Sequence, residues 1–490
     1  MAEQRLTEIK KIRLEKVKKL REQGIEPYPS KLLFQKEKIN VVRDSLSKKG
    51  AVAGRVMSFR EHGNIIFLDI TDDSGTIQLF FQKKLLLDKY SLVKSLDIGD
   101  FLLARGEVFK TGAGEITINV EQFQLLSKSI RPLPSSWHGL SDTEERFRKR
   151  YLDLLFNSEV RARFEIRTKL VREIRNYLDN LSYQEVETPT LQTLYGGANA
   201  KPFKTHLNAL STEMYLRIAD ELYLKRLIVG GYERVYEICK DFRNEGMDLT
   251  HNPEFTMLEF YETYADYLRI MEVTEGMFKH LAKTVLGKTE MEIGKRKIDI
   301  GKKWRRVEMT EIIKEELGLD VLAEQEAGLI RYAKENNVPL LGGETKGQLI
   351  FLLFEHLVTD KLIEPTWVID YPKEVSPLAK DHPKKKGWVE RFEGYIGGKE
   401  ICDGWSELTD PVEQRARFLA DVKAVRKDQE EAQKVDEDFL EAMEYGMPPT
   451  GGIGIGIDRL TMFFTNTWSI KEVILYPLMK VKQRKIKITK

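Results

Sequence analysis

Five short strand-like stretches crowded into residues 52–126 constrain this chain more than any other feature. VAGRVMSF, IIFLDITD, TIQLFFQK, DFLLARGEVF and EITINVEQFQLL follow one another, rich in β-branched and aromatic residues. Turn chemistry separates them at Glu61-His62-Gly63-Asn64 and Asp72-Asp73-Ser74-Gly75. Strands so short and so close suggest a small Greek-key barrel, of which the OB-fold is the commonest. Phe59, Phe67, Phe80 and Phe81 are its stacking candidates, with Arg55, Arg60 and Gln78 as polar readers. Any one of these phenylalanines belongs to a core more often than to a platform.

The rest of the chain must be something else. At 490 residues there is length for about three domains. The charges nearly cancel, to a net +2, so any basic partner surface has to be local. Two cysteines, Cys239 and Cys402, argue against a disulfide framework and suit a reducing cytoplasm. The most apolar run, 349–358, is interrupted by Glu355 and His356 and is too short to span a bilayer. The N-terminus carries acids and no apolar segment of the secretory kind. A soluble protein with no membrane partner is expected.

Residues 1–50 read as a basic helical extension, either docked on its own protein or touching a polyanion. The barrel takes 51–130, and Pro-rich RPLPSSWHGL opens a linker over 131–160. From 161 to 490 the pattern is mixed. Phe164, Ile166, Leu170, Ile174 and Leu178 recur at helical spacing. Strands dominate 210–262, a mostly helical insertion follows over about 265–390, and a charged helix covers 411–431. The fold class is α+β, an OB-fold barrel followed by a domain with an antiparallel sheet flanked by helices.

Alternation within RVYEICKDFRNEG puts Glu237, Cys239, Asp241 and Arg243 on one strand face. In HNPEFTMLEFY it puts Phe255, Met257, Glu259 and Tyr261 together, so an antiparallel hairpin lines one surface with both sets. Later, GGIGIGIDRL at 451–460 places four glycines in six positions. Such a run lets backbone approach a phosphate or a flat ligand, yet it fits neither a P-loop nor GxGxxG.

Together these segments resemble motifs 2 and 3 of the class II aminoacyl-tRNA synthetases, in the form used by lysyl enzymes. EVETPTLQ resembles motif 1, the usual dimer element, and GGANAKPFKTHLNAL and MYLRIADELYLKRLIVGG are also of lysyl type. The resemblance covers essentially 50–479, in order. It implies activation of L-lysine with ATP and transfer to tRNA(Lys) by a cytoplasmic homodimer. Arg243 and Arg459 would be catalytic, Arg243 on the α-phosphate and Arg459 with His251 on the terminal phosphates. Phe255 would stack on adenine over Gly456, while Glu245 and Asn252 address the base. Glu393 and Glu400 would hold Mg2+, with Glu393 thereby part of the ATP site. Gly197 carbonyl and Glu221 would receive the substrate's α-amino group. Glu259, Tyr261 and Glu407 would take its ε-ammonium, and Trp405 would pack along its methylenes. Arg60, Phe67 and Gln78 match the anticodon-reading positions.

The chain departs from the lysyl pattern in three places. Asp403 stands where asparagine is common near the substrate carboxylate, so it must be protonated, turned away, or paired with Arg243 or magnesium. Trp405 replaces a smaller aromatic, and Asp220 replaces a proline before Glu221. Strict alternation also puts Glu400 on the face opposite Asp403, so its metal role requires a β-bulge. The cysteines and the remaining histidines receive no role, and the basic tail 480–490 reads as an unstructured solvated tail more readily than as a phosphate contact.

Overall fold

The computed structural model describes residues 2–134, 142–424 and 435–480. The chain divides into two compact units, Met1–Leu140 and Ser141–Lys490. Most of the Pro-rich segment, the end of the expected 411–431 helix and the basic tail lie outside the described residues.

In the first unit, β1 (Lys49–His62), β2 (Ile65–Thr71), β3 (Thr76–Gln82), β4 (Phe101–Lys110) and β5 (Ile116–Ser127) close a barrel in the order β1-β2-β3-β5-β4. Period-two patterning does this: Ile66, Leu68 and Ile70 alternate inward on β2, and Ile77, Leu79 and Phe81 on β3. The turn at 72–75 is set by the Asp72 carboxylate, which accepts from the amides of Ser74 at 2.7 Å and Gly75 at 3.0 Å. Phe81 is therefore core, which removes it from the stacking candidates. Phe59 packs partly against the same core, and Arg55 lies over the Phe101 ring.

Residues 1–50 are not a separate extension. Leu20, Ile39 and Val42 enter the barrel core, and Arg13 Nη1 donates to the Ser129 carbonyl at 2.9 Å. The helix Ala2–Glu22 is docked on its own unit through this face.

The second unit is built on one large sheet. Its strands are β6 (Gln184–Glu185), β7 (Leu191–Gln192), β8 (Lys204–Leu207), β9 (Thr212–Leu216), β10 (Arg234–Phe242), β11 (Glu254–Thr263), β12 (Glu290–Ile293), β13 (Arg296–Asp299), β14 (Arg305–Glu308), β15 (Thr366–Pro372), β16 (Trp388–Ile396), β17 (Lys399–Ser406) and β18 (Thr450–Gly456). Eight of them form a sheet in the order β14-β15-β16-β17-β18-β11-β10-β6. The interior pairings are antiparallel, and the edge strands β14 and β6 pair in parallel. One face is apolar and packs on helices: Leu170, Ile174 and Leu178 of Ser158–Asn180 and Ile270, Met277 and Phe278 of Tyr267–Leu281 meet Leu258, Phe260, Ile453 and Ile455 of the sheet. Burying such side chains contributes roughly 1.5–3 kcal/mol each. The other face is left open, and that face carries the site.

Three segment boundaries differ from the sequence reading. Within 131–160, residues Thr143–Arg148 and Arg150–Phe156 are helical and hold to the second unit, where Arg150 donates to Leu475 O at 3.1 Å. The 265–390 insertion contains β12 to β15, of which β14 and β15 belong to the main sheet. Between the strands of 210–262 sits a nine-residue helix, Glu221–Val229. Its apolar positions Leu222, Leu224 and Ile228 alternate with Glu221 and Lys225, which hides a helical period behind strand-like composition.

Candidate active site

Ladder register fixes which side chains share the open face. β10 and β11 pair Glu237 with Glu259, Cys239 with Met257 and Asp241 with Phe255, as the alternation requires. β18 then sets Gly456, Gly454 and Gly452 opposite Met257, Glu259 and Tyr261. β17 sets Asp403 and Trp405 opposite Gly454 and Gly452, and β16 sets Glu393 and Arg391 opposite Asp403 and Trp405. A cleft of about 410 Å³ lies over this surface, lined among others by Arg243, Phe255, Glu259, Glu407 and Arg459. An adjoining cavity of about 750 Å³ shares Arg243, Arg391, Glu400, Asp403 and Arg459 with it and adds Glu393.

The glycines clear the floor of this cleft. A Cβ on Gly452 would lie 2.4 Å from the Tyr261 ring and 2.5 Å from Glu407 Oε1. A Cβ on Gly454 meets nothing closer than Met257 Sδ at 3.6 Å, and one on Gly456 nothing closer than Arg459 at 3.8 Å. At 452 glycine serves packing, whereas at 454 and 456 it leaves bare backbone facing the cavity.

The required bulge exists. Gly394 pairs with Cys402, but Tyr395 pairs with Glu400, so Ile401 is the extra residue. The insertion turns Glu400 onto the face of Glu393 and Asp403. There Glu400 Oε2 accepts from Arg459 Nη1 at 3.0 Å, and Arg459 Nη2 lies 3.1 Å from His251 Nε2. His251 Nδ1 is 2.7 Å from Asp248, whose carboxyl is held down to about 2 by backbone and imidazole hydrogen bonds that outweigh partial burial. Arg243 lies over the Phe255 ring, 5.2 Å from its centroid, and donates to Ile218 O at 3.3 Å. Glu245 accepts from the Lys201 amide, and buried Asn252 leaves its Oδ1 without a donor.

Asp403 is corrected in its partner. It pairs with neither Arg243 nor a vacant direction: Arg391 grips it in a fork, Nε to Oδ1 at 2.9 Å and Nη2 to Oδ2 at 2.8 Å. The same Nη2 donates to Glu393 at 2.7 Å, and the Tyr395 hydroxyl donates to the other Glu393 oxygen. Burial still lifts Asp403 to about 6 and Glu393 to about 8, the latter helped by the charges of Asp403 and Glu400. Two crowded carboxylates of this kind, Glu393 and Glu400, are a donor set that fits a hard divalent cation such as magnesium.

At the far end of the cleft, Tyr261 donates to Glu259 Oε2 at 2.8 Å and Trp405 Nε1 donates to Glu407 Oε2 at 2.9 Å. The indole thus orients a carboxylate, a contact that alternation did not suggest. Glu407 is 1% exposed, and its Oε1 has no donor. Burial lifts Glu407 to about 8, and lifts Glu259 well above the usual range together with the neighbouring Asp220 charge. Asp220 is itself wholly buried, finds no donor for either oxygen, and is pushed to about 8 by burial and then by Asp241. Cys239 Sγ lies 3.6 Å from Asp241 Oδ1, and Arg217 Nε answers that carboxylate at 3.4 Å. Gly197, at φ +87°, lies beside Glu221, whose Cβ is 3.3 Å from where a Gly197 side chain would begin.

Sequence reasoning missed Arg391 and Lys225. Arg391 stands two before Glu393, so alternation gives the face they share but not its partner Asp403. Lys225 stands four residues after Glu221 on a helix, where the two side chains must meet.

In the barrel, Arg60, Phe67 and Gln78 lie on one outer face, since Arg60 pairs with Phe67, Phe67 with Phe80, and Asp69 with Gln78. Phe67 and Phe80 stack with centroids 4.8 Å apart and both stay half-exposed. Arg60 is held by Asp69 at 2.9 and 3.0 Å, and Gln78 accepts from Thr117 at 3.0 Å.

Comparison with known proteins agrees with this geometry. Residues 142–480 match the family model described as tRNA synthetases class II (D, K and N), and 51–126 match the OB-fold nucleic acid binding domain. A lysine–tRNA ligase of Thermoanaerobacter sp. (strain X514) is 49% identical over 488 residues, covering 97% of both chains. One from Carboxydothermus hydrogenoformans is 48% identical over 485 residues, covering 98% of this chain and 99% of its own. Lysine–tRNA ligase 2 of Methanosarcina mazei is 48% identical over 469 residues, 94% and 91% of the two chains. An eight-stranded sheet with its open face so furnished, preceded by this barrel, defines a class II tRNA synthetase. Within that class the chain belongs to the lysine–tRNA ligase family.

Proposed function

We propose that the cleft activates L-lysine with ATP and that the product is passed to tRNA(Lys). The observation that carries this reading is the buried Glu407 Oε1 with no donor, set in one cleft with Glu259 and the Tyr261 hydroxyl. Glu407 Oε2 is already held by Lys225 and the Trp405 indole, so the open acceptor is Oε1; a buried acceptor without a donor is costly, and a charge-assisted hydrogen bond contributes roughly 1.5–3 kcal/mol. The ε-ammonium of lysine supplies both the charge and the donor. Neutral isosteres leave Glu407 Oε1 without a charged donor and are rejected without editing.

In this reading adenine lies on Phe255, over the bare backbone of Gly454 and Gly456, with Glu245 and Asn252 at its edge. Arg243 meets the α-phosphate, while His251 and Arg459 meet the terminal phosphates. Glu393 and Glu400 would hold magnesium, which would supply positive charge near the phosphates. The lysine carboxylate attacks the α-phosphorus in line. It is ionised already, so the chain needs no general base, and its contribution is positioning and charge stabilisation. Gly197 carbonyl and Glu221 fix the α-amino group. The lysyl group then passes to the terminal ribose 3′-hydroxyl, and Phe67, Arg60 and Gln78 read the anticodon. The enzyme works as a homodimer through the segment around Pro189, and in the cytoplasm, where tRNA is charged.

ATP–pyrophosphate exchange with each standard amino acid, ornithine and β-lysine tests this. Exchange with lysine is the expected result. Exchange with none, or best with an analogue, would show that Asp403 and Trp405 have remade the pocket.

A further inference from the structure

Lys225 is buried completely in the helix Glu221–Val229, and the mechanism above does not use it. Its Nζ lies 2.5 Å from Glu221 Oε1 and also contacts Glu407 Oε2. Those two carboxylates are the ones read above as holding opposite ends of the substrate. Glu407 Oε2 is held twice, by Lys225 and by the Trp405 indole, so only Oε1 remains for a ligand. Burial works against the ammonium, and the charges of Glu221 and Glu407 keep it protonated. Stability alone does not explain such a bridge, because replacing a buried ion pair by apolar residues is often neutral or stabilising.

The charges can be counted. Glu221, Glu259 and Glu407 bring three carboxylates to the amino-acid end of the cleft, and all three line it. Lys225 answers one of them. Two carboxyl groups remain without a resident cation, and lysine carries two ammonium groups to meet them.

We propose that Lys225 is a positioning residue that sets the charge number of the amino acid the cleft accepts: a resident ammonium, bridging Glu221 and Glu407, leaves room for a substrate with two cationic groups. The inference rests on the lysine-pocket reading. Without Lys225 the Glu221–Glu407 pair must share a proton, since two buried like charges face each other with no cation between them. The incoming amino acid then has to displace that proton.

Lys225→Met and Lys225→Gln, made side by side in the full chain, together with Lys225→Arg, test it by pyrophosphate exchange between pH 6.5 and 9. In Met and Gln variants the KM for lysine should rise by at least roughly tenfold, with the KM for ATP within about twofold. The midpoint of the rise in lysine kcat/KM with pH should move upward by at least about half a pH unit, and the Arg variant should keep the wild-type midpoint. Lysine and ATP constants rising together, an unmoved midpoint, or failure of both neutral variants to fold and bind ATP would each overturn the proposal in favour of a structural role. Absence of lysine-dependent exchange by the wild-type chain is a different result, and it removes the lysine reading itself.

Discussion

Arg391 holds Asp403 with two parallel hydrogen bonds, 2.9 and 2.8 Å long, and spends its second Nη2 contact on Glu393. A single guanidinium therefore compensates two acids, the half-buried Asp403 and the buried Glu393. Asp403→Asn should be mild, under about tenfold in lysine-dependent exchange, because it removes a charge and keeps an acceptor for Arg391. Arg391→Met should be severe, since stripping one partner from buried charges costs about 3–5 kcal/mol. Exchange rates and thermal midpoints of the two variants check both expectations.

Glu407→Gln should raise the KM for lysine by roughly tenfold to a hundredfold, the loss of one charge-assisted bond, and leave ATP saturation unaltered. If ATP binding weakens while lysine saturation does not change, the pocket is assigned to the wrong ligand.

The same residue predicts a pH effect on stability. Burial raises the Glu407 carboxyl to about 8 in the fold, above its value in an unfolded chain. A group raised in this way keeps its proton in the fold when the unfolded chain has lost it, so its stabilising contribution is complete at low pH and is lost as pH climbs toward 8. The thermal midpoint of the wild type should thus fall behind that of Glu407→Gln between about pH 5 and 9, by roughly 2 °C or more. Saturating lysine should narrow the gap. A pH-independent difference would contradict the raised carboxyl.

The two glycines should separate. Gly454→Ala has space in the fold, its nearest neighbour 3.6 Å away, but it puts a methyl group where adenine is proposed to lie. It should weaken ATP saturation several-fold with a thermal midpoint within about 2 °C of wild type. Gly452→Ala meets the Tyr261 ring at 2.4 Å and should lower the midpoint instead.

Phe67→Ala should reduce tRNA charging by about fivefold to a hundredfold, the worth of one base stacked on an aromatic ring, and spare pyrophosphate exchange. Equal loss in both assays would remove the proposed role of the barrel.

Much of this was legible from alternation. The period of two put Phe255, Glu259 and Tyr261 on one face and marked the barrel strands; with Glu400 read from the resemblance as a metal ligand, it also required a bulge before Asp403, which the ladder supplies. What stayed hidden was contact between distant segments. Nothing local distinguishes Arg391 as the partner of Asp403, because the two meet only across β16 and β17. Lys225 looks like an ordinary helix surface lysine until Glu407 arrives from elsewhere in the chain. The 265–390 region misled because its short edge strands sit between strong helical periods, and strands of four residues carry too little pattern to read.

The extra residue at Ile401 has a consequence for how this strand tolerates change. It switches the odd-even phase of β17, so that Glu400 and Asp403 face the same way although three positions apart. Substitutions between them leave that phase intact. A single insertion or deletion there reverses it and carries Glu400 to the apolar side of the sheet. The strand is thus free to vary in composition and fixed in length, and its arithmetic, more than any one side chain, keeps negative charge on the cleft side.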